Sequence, residues 1–192
     1  MVGAMGGKSM ASGRYVALLR GINVGGKNKL LMADLRQIFE EAGCCEVSSY
    51  IQSGNVLFSA SPSQVSVLPR AISETIATRF GYQVPVIVRE LQELKRLVAA
   101  NPFLREGQEP HALHLMCLAA CPTPEQIASL DHKRSEPDAF ALRGNNIYLY
   151  FPNGTARSKF TTGYFDRALA TTSTIRNWNT MIKLIELGYV RF

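Results

Sequence analysis

The chain has 192 residues, 46% of them hydrophobic, enough for one domain or two small halves around a real core. Its formal charge of +6 divides evenly between the halves rather than forming a basic tail, and its apolar runs, broken by Arg, Gly or Pro, fall short of the roughly 18–20 residues that a membrane span needs. Residues 1–13 lack the apolar core of a signal peptide and read as a disordered leader, with Met5 and Met10 as alternative starts.

Tyr15–Arg20 is a short apolar run that opens onto glycine, which predicts a buried strand. Met32, Leu35, Ile38, Phe39 and Ala42 recur at helical spacing and Gly43 closes that helix. Glu46–Ile51 and Asn55–Ser59 read as strands joined by Gln52-Ser53-Gly54, a turn tight enough to force antiparallel pairing. Ser61-Pro62-Ser63-Gln64 has the form of a capping box, and Leu68, Ile72, Ile76 and Phe80 line one face of the helix behind it. Pro69 either kinks this helix near Val65 or, the preferred reading, belongs to the first turn of a helix starting near Ser66. Val84–Val88 is the next strand, with Pro85 marking an edge or a strand start.

The order strand, helix, strand, strand, helix, strand is that of the ferredoxin-like βαββαβ unit, and the second half repeats it imperfectly. Leu91–Ala100 is a connecting helix ended by Asn101-Pro102; His111–Leu118 is a strand; Thr123–Gln126 caps a helix running to Leu130. Strands at Ala139–Arg143 and Ile147–Phe151 flank Gly144, a helix covers Ser158–Ala170, and Trp178, Met181, Ile182 and Ile185 line a last helix stopped by Gly188. The expected fold is therefore α+β, with two ferredoxin-like subdomains of antiparallel sheet over residues 14–90 and 91–192.

The positive charge is local. Arg14, Arg20, Lys27, Lys29 and Arg36 face Asp34 alone, and Arg143, Arg157, Lys159, Arg167, Arg176 and Lys183 face Asp166 alone, a pattern suited to an anionic partner. Within the first stretch, Gly21–Asn28 comes close to a phosphate-binding P-loop, but Asn28 stands where magnesium needs a hydroxyl, helical spacing begins only near Leu31, and the tight strand pairs contradict a parallel sheet. What survives is an amide-rich loop in which Arg20, Asn23, Lys27 and Asn28 hold a phosphate or carboxylate, or else a plain turn. Thr171–Thr180 combines hydroxyls, amides, Arg176 and the sole Trp at the mouth of the last helix, where Asn177 or Asn179 serves as N-cap and Trp178 as core, or the segment binds an anion; both readings are compatible. Arg157, Ser158 and Lys159 oppose the dipole of the helix they are expected to begin, which favours a binding role.

Signatures of familiar catalysts are missing. His111 and His114 lie on opposite faces of their expected strand, and there is no G-x-S-x-G, H-E-x-x-H or paired-carboxylate motif. Cys44, Cys45, Cys117 and Cys121 have no zinc-ligand spacing and, without a secretory signal, point to a reducing compartment. No metal or cofactor is called for.

Arg20–Asn28 (RGINVGGKN), Tyr50–Asn55 (YIQSGN), Ala141–Gly144 (ALRG), Arg157–Lys159 (RSK) and Arg176–Thr180 (RNWNT) together resemble the bacterial family catalogued as domain of unknown function 1697, a likeness running from Arg14 to about Leu187. The resemblance implies a cytoplasmic bacterial protein with two ferredoxin-like subdomains, and it implies no reaction. Two functions follow as expectations. One is a module binding an anionic or phosphate-bearing ligand, nucleotide or RNA included, although Ser53–Ser59 lacks the aromatic row of an RNA-recognition sheet. The other is an enzyme for a small anionic metabolite clamped by Arg20, Lys27 and Arg176; it requires these residues to converge with Gln52, Asn55 and Asn179 on one cleft, beside a group of perturbed pKa, and Ser53 is a further candidate for ligand binding. No membrane partner is expected, and the oligomeric state is unreadable.

Overall fold

The computed structural model describes residues 12–190, so the expected leader lies, up to residue 11, outside the described residues. Strand β1 (Gly13–Leu19) alternates Ala17 and Leu19 on one face with Val16 and Leu18 on the other, all fully buried, as a strand covered on both sides requires. It is followed by α1 (Met32–Glu41), β2 (Cys45–Tyr50), β3 (Asn55–Ala60), α2 (Pro62–Phe80), β4 (Val86–Glu90) and α3 (Leu91–Ala99). After the short α4 (Pro102–Arg105), the pattern recurs as β5 (Leu113–Leu118), α5 (Pro124–Ala128), β6 (Ala139–Arg143), β7 (Asn146–Tyr150), α6 (Thr162–Ala168), β8 (Ser173–Asn177) and α7 (Trp178–Tyr189). The two sheets have the orders β2-β3-β1-β4 and β6-β7-β5-β8, antiparallel throughout. This is the ferredoxin-like order twice over, and the expected α+β class holds.

Three apolar cores separate five layers. Helices α1 and α2 pack on the outer face of the first sheet through Leu35, Phe39, Leu68, Ile72 and Ile76. Helices α3 and α7 lie between the sheets, where Leu91, Leu94, Trp178, Met181 and Leu184 meet Val16, Leu18 and Leu57 on one side and Leu115 and Tyr148 on the other. Helix α6 covers the far face of the second sheet through Phe165. Each of these buried side chains contributes on the order of 1.5–3 kcal/mol. With both faces of both sheets covered, neither sheet offers an open platform on which bases could stack.

Several local expectations need correction. Helix α2 begins at the Ser61–Gln64 capping box and continues without interruption past Pro69 to Phe80, because burial of Leu68, Ile72 and Ile76 outweighs the one backbone bond that proline forgoes; the start near Ser66 is wrong. Gly188 does not stop α7, which continues to Tyr189. A Cβ there would lie 2.5 Å from Leu91 Cδ2 and 3.2 Å from Leu57 Cδ2, so this glycine serves the close approach of α7 to α3. His111 sits in a single 3-10 turn, Pro110–Ala112, and the strand starts only at Leu113. Helix α6 is capped by Thr161, whose hydroxyl accepts from Tyr164 N, so Arg157, Ser158 and Lys159 precede it as a loop and the dipole argument made for them falls. Most consequential, Ser173–Asn177 is an unexpected edge strand paired with β5, and it runs directly into the last helix, where Asn177 is the N-cap and Trp178 is core, as expected.

Candidate functional site

The end of β1 determines the site. Leu19 N donates to Gly54 O (2.8 Å) and Arg20 N to Pro85 O (3.0 Å), after which the chain leaves the sheet at Gly21. Gly21, Asn23, Gly25, Gly26 and Asn28 all take positive φ, which explains why this loop is written in glycine and asparagine. Asn23 uses its whole amide on the loop: Oδ1 accepts from Leu30 N (2.9 Å), and Nδ2 donates to Leu30 O (2.8 Å) and Gln52 O (2.9 Å). Asn28 Nδ2 donates to Gly21 O (2.8 Å), and a bridge between Val24 and Lys27 turns the tip into a minimal hairpin. Asn23 and Asn28 thus shape the loop, and Lys27 stands exposed at its tip.

Next to this loop opens a cavity of about 590 Å³, bounded by Arg20, Ile22, Ile51 and Ser53 from the first half and by residues of β5, β8, α7 and the 155–162 loop from the second. Hydroxyls dominate its polar lining, contributed by Ser53, Thr155, Ser158, Thr161, Thr162, Thr174 and Thr180. Of the expected residues, Arg20, Ser53, Ser158, Arg176 and Asn177 come together here. Asn55, fully buried, stands behind Arg176. Asn23 and Gln52 border a separate, smaller pocket, and Trp178 is buried in the central core. Lys27, Asn28, Arg157, Lys159 and Asn179 do not line the cavity. Asn177 caps α7, its Oδ1 accepting from Thr180 N at 2.8 Å.

The two arginines of the cavity differ sharply. Arg176 spends every N–H on the protein: Nε on Asn55 Oδ1 (2.6 Å), Nη1 on Thr174 Oγ1 (2.9 Å) and Ile175 O (2.8 Å), Nη2 on Leu19 O (2.6 Å), Ser53 O (3.0 Å) and Gly54 O (3.3 Å). No carboxylate lies within ion-pair distance of it among the described residues, and burial pushes its guanidinium down to about 10. Arg20 uses Nη1 alone, on Asp166 Oδ2 (2.6 Å) and Ser173 O (2.8 Å).

The repeat explains Arg176. Arg89 occupies the same place on β4 as Arg176 on β8, opposite Val16 and Leu115 respectively. Its Nη2 donates to Leu118 O (2.6 Å) and Asn145 O (3.3 Å), as Arg176 Nη2 does to Leu19 O and Gly54 O. Each arginine therefore ties the edge strand of one half to the end of the central strand of the other. One difference matters: Arg89 Nε has Glu93 Oε1 at 3.5 Å, and four residues beyond Arg176 stands Thr180, which lines the cavity. The charge that is matched at one junction is unmatched at the other.

His114 also lines the cavity, a residue that sequence reasoning set aside. Burial lowers its pKa, the Ala112 backbone pulling the other way, and its Nδ1 is buried without a hydrogen bond of normal geometry. Its ring meets Phe151 edge-on at 5.1 Å. Nothing local in the sequence marks it, because its position depends on β8 lying beside β5. Cys117, wholly buried, has its thiol pushed up to about 11 by desolvation, and no group of three or more metal-ligating side chains assembles among the described residues. Nor is any described helix long and apolar enough to cross a membrane.

Comparison with known proteins places the chain. The pattern of the family described as protein of unknown function (DUF1697) matches residues 13–148, a shorter stretch than Arg14–Leu187 and one that leaves the RSK and RNWNT motifs beyond it. A conserved bacterial protein from Streptococcus pneumoniae, of solved structure, is similar over 93% of this chain and 99% of its own, with a TM-score of 0.69 and 25% sequence identity. Among curated proteins there is no match.

Proposed function

The chain belongs to the DUF1697 family, for which no reaction is described, and from that premise we propose that it binds a small anionic molecule in the cavity beside the β1 end. The observation that carries this reading is the missing counter-ion. Arg89 has Glu93, whereas Arg176 has Thr180 and a cavity in the equivalent place, so a ligand's anionic group supplies the charge that the fold supplies to itself at the other junction. Because the donors of Arg176 are already engaged, its attraction is one of charge across a poorly hydrated wall, and the threonine and serine hydroxyls make the contacts. The volume suits a ligand up to the size of a mononucleotide. Stacking on either sheet is ruled out by the covered faces, which disfavours RNA read in that manner.

A thermal-shift screen of phosphate esters, carboxylates, nucleotides and short oligonucleotides, run on the wild type and on Thr180→Glu, tests the reading. Hits should stabilise the wild type, lose effect with added salt, and fail on Thr180→Glu, whose new carboxylate occupies the vacant charge position. Equal stabilisation of both proteins by every hit ends the proposal. Lys27→Ala serves as a control and should respond as the wild type does.

His114 favours a second reading, an enzyme acting on the same ligand with this neutral imidazole as proton acceptor. Incubating each hit with protein and following it by NMR checks this: conversion by the wild type that is lost in His114→Gln, with binding retained, supports catalysis, and an unchanged ligand rejects it.

A further inference from the structure

We propose that Arg20, through the edge formed by its Nε and Nη2, is the group that grips the anion, and that Asp166 is a positioning residue holding this edge toward the cavity. The inference rests on the cavity being an anion site and specifies how the anion is recognised. Both protons of Arg20 Nη1 are engaged, by Asp166 Oδ2 at 2.6 Å and by the Ser173 carbonyl at 2.8 Å, while Nε and Nη2 hydrogen-bond to nothing among the described residues. Those two parallel N–H groups are the fork that matches two oxygens of a carboxylate or phosphate. Arg176 has no such edge left.

The pair is graded in depth. The Asp166 side chain is 18% exposed and that of Arg20 33%, which sets the carboxylate behind and the guanidinium in front. Asp166 Oδ1 is buried without a partner, so the one hydrogen-bonded role of this carboxylate toward a side chain from the first half is to hold Arg20. The repeat again separates structure from function: the residue after Leu19 is Arg20, and the residue after its counterpart Leu118 is Ala119. The arginine that rivets the halves is present at both junctions; the arginine that faces the cavity is present at one. With Asp166 balancing Arg20, the wall carries the single unmatched charge of Arg176, which suits a ligand presenting one carboxylate or one terminal phosphate rather than a polyphosphate chain.

The experiment uses the full chain labelled with nitrogen-15, titrated separately with inorganic phosphate and with acetate while arginine Nε–Hε and backbone amide signals are followed. The Arg20 Nε–Hε signal should move and saturate with at least one anion, and the stronger of the two identifies the ligand's group; the Arg176 signal, locked onto Asn55, should stay. Arg20→Lys keeps the charge and loses the fork, and should weaken binding by about tenfold. Asp166→Asn should weaken it similarly at an unchanged folded fraction, with Asp166→Glu restoring part of the loss. If an anion moves the Thr174, Thr180 and His114 signals but leaves Arg20 Nε–Hε in place, or if Arg20→Lys binds as the wild type does, the Arg20 assignment is wrong and the cavity reading survives. If neither anion moves any cavity signal, both fall together.

Discussion

The junctions built around Arg89 and Arg176 are the same device used for two purposes. In both, an arginine at the same place on the edge strand reaches across to the carbonyl that ends the other half's central strand, at 2.6 Å in each case. Beside Arg89, Glu93 supplies the charge, and the pocket at the nearby end of β5 is smaller, about 320 Å³, lined by Ala119, Val86 and Ile87 together with Arg70, Ser73, Gln83 and Thr172. Around Arg176 no carboxylate lies within ion-pair distance among the described residues, and the larger cavity of about 590 Å³ is lined by Arg20, His114 and seven hydroxyl-bearing side chains beside its aliphatic ones. What the halves share is what holds them together; what they do not share is where we propose that a ligand binds. Charge alone does not make an arginine available, because hydrogen-bond saturation decides whether it acts as a strut or a hand.

The sharpest test of that distinction is removal of Arg176. Arg176→Ala deprives Asn55 Oδ1, Thr174 Oγ1 and the carbonyls of Leu19, Ser53 and Ile175 of a donor, and should cost about 3–5 kcal/mol in urea unfolding. Arg89→Ala should cost a comparable amount. Arg20→Ala breaks one half-buried ion pair and one carbonyl bond and leaves the Asp166 carboxylate without its donor, so it should cost about 1–3 kcal/mol, less than Arg176→Ala, while removing anion binding. A large stability loss for Arg20→Ala, or a small one for Arg176→Ala, breaks the assignment of strut and hand.

The asparagines that start β3 and β7 give a finer version. Asn55 Oδ1 accepts from Arg176 Nε, whereas its counterpart Asn146 leaves Oδ1 unpartnered, as Arg89 leaves Nε. Asn55→Ala should therefore cost about 1–3 kcal/mol, and Asn146→Ala measurably less, in the same unfolding assay. Asn55→Asp should instead act on the ligand. A carboxylate beside Arg176 matches its charge, and anion affinity should fall by about tenfold.

The sheets were legible because they rest on periodicity. Val16–Leu19, Val56–Phe58 and Ile147–Leu149 are apolar runs of strand length bounded by turn residues, and the repeat of element order exposed the fold class. The failures lie where tertiary contacts set a residue's meaning. Thr174 and Ile175 are β-branched as a strand prefers, yet neighbouring Ser, Thr and Asn also spell helix caps, and only pairing with β5 reveals that the segment is a strand whose last residue, Asn177, is also the cap. Gly188 looks like a helix stop until Leu91 is seen against it. At the site, Arg20 and Arg176 were recognisable as cations, but their opposite hydrogen-bond states depend on Asp166 and Asn55, far away in the chain.

His114 bears the smallest expected effect, and it reports on the cavity's state. Its folded pKa is lowered from 6.5 by burial, so the unfolded chain binds more protons than the native one in the window below pH 6.5. The stability associated with this imidazole is fully present above pH 6.5 and is lost as pH falls through the folded value. Replacing His114 with Gln should flatten that part of the acid limb in urea unfolding curves taken between pH 7 and pH 5. An anion seated near the ring favours its protonated form, so saturating ligand should shrink the same acid loss in the wild type and leave His114→Gln unaffected. An acid limb that the ligand does not alter would place the anion out of reach of His114.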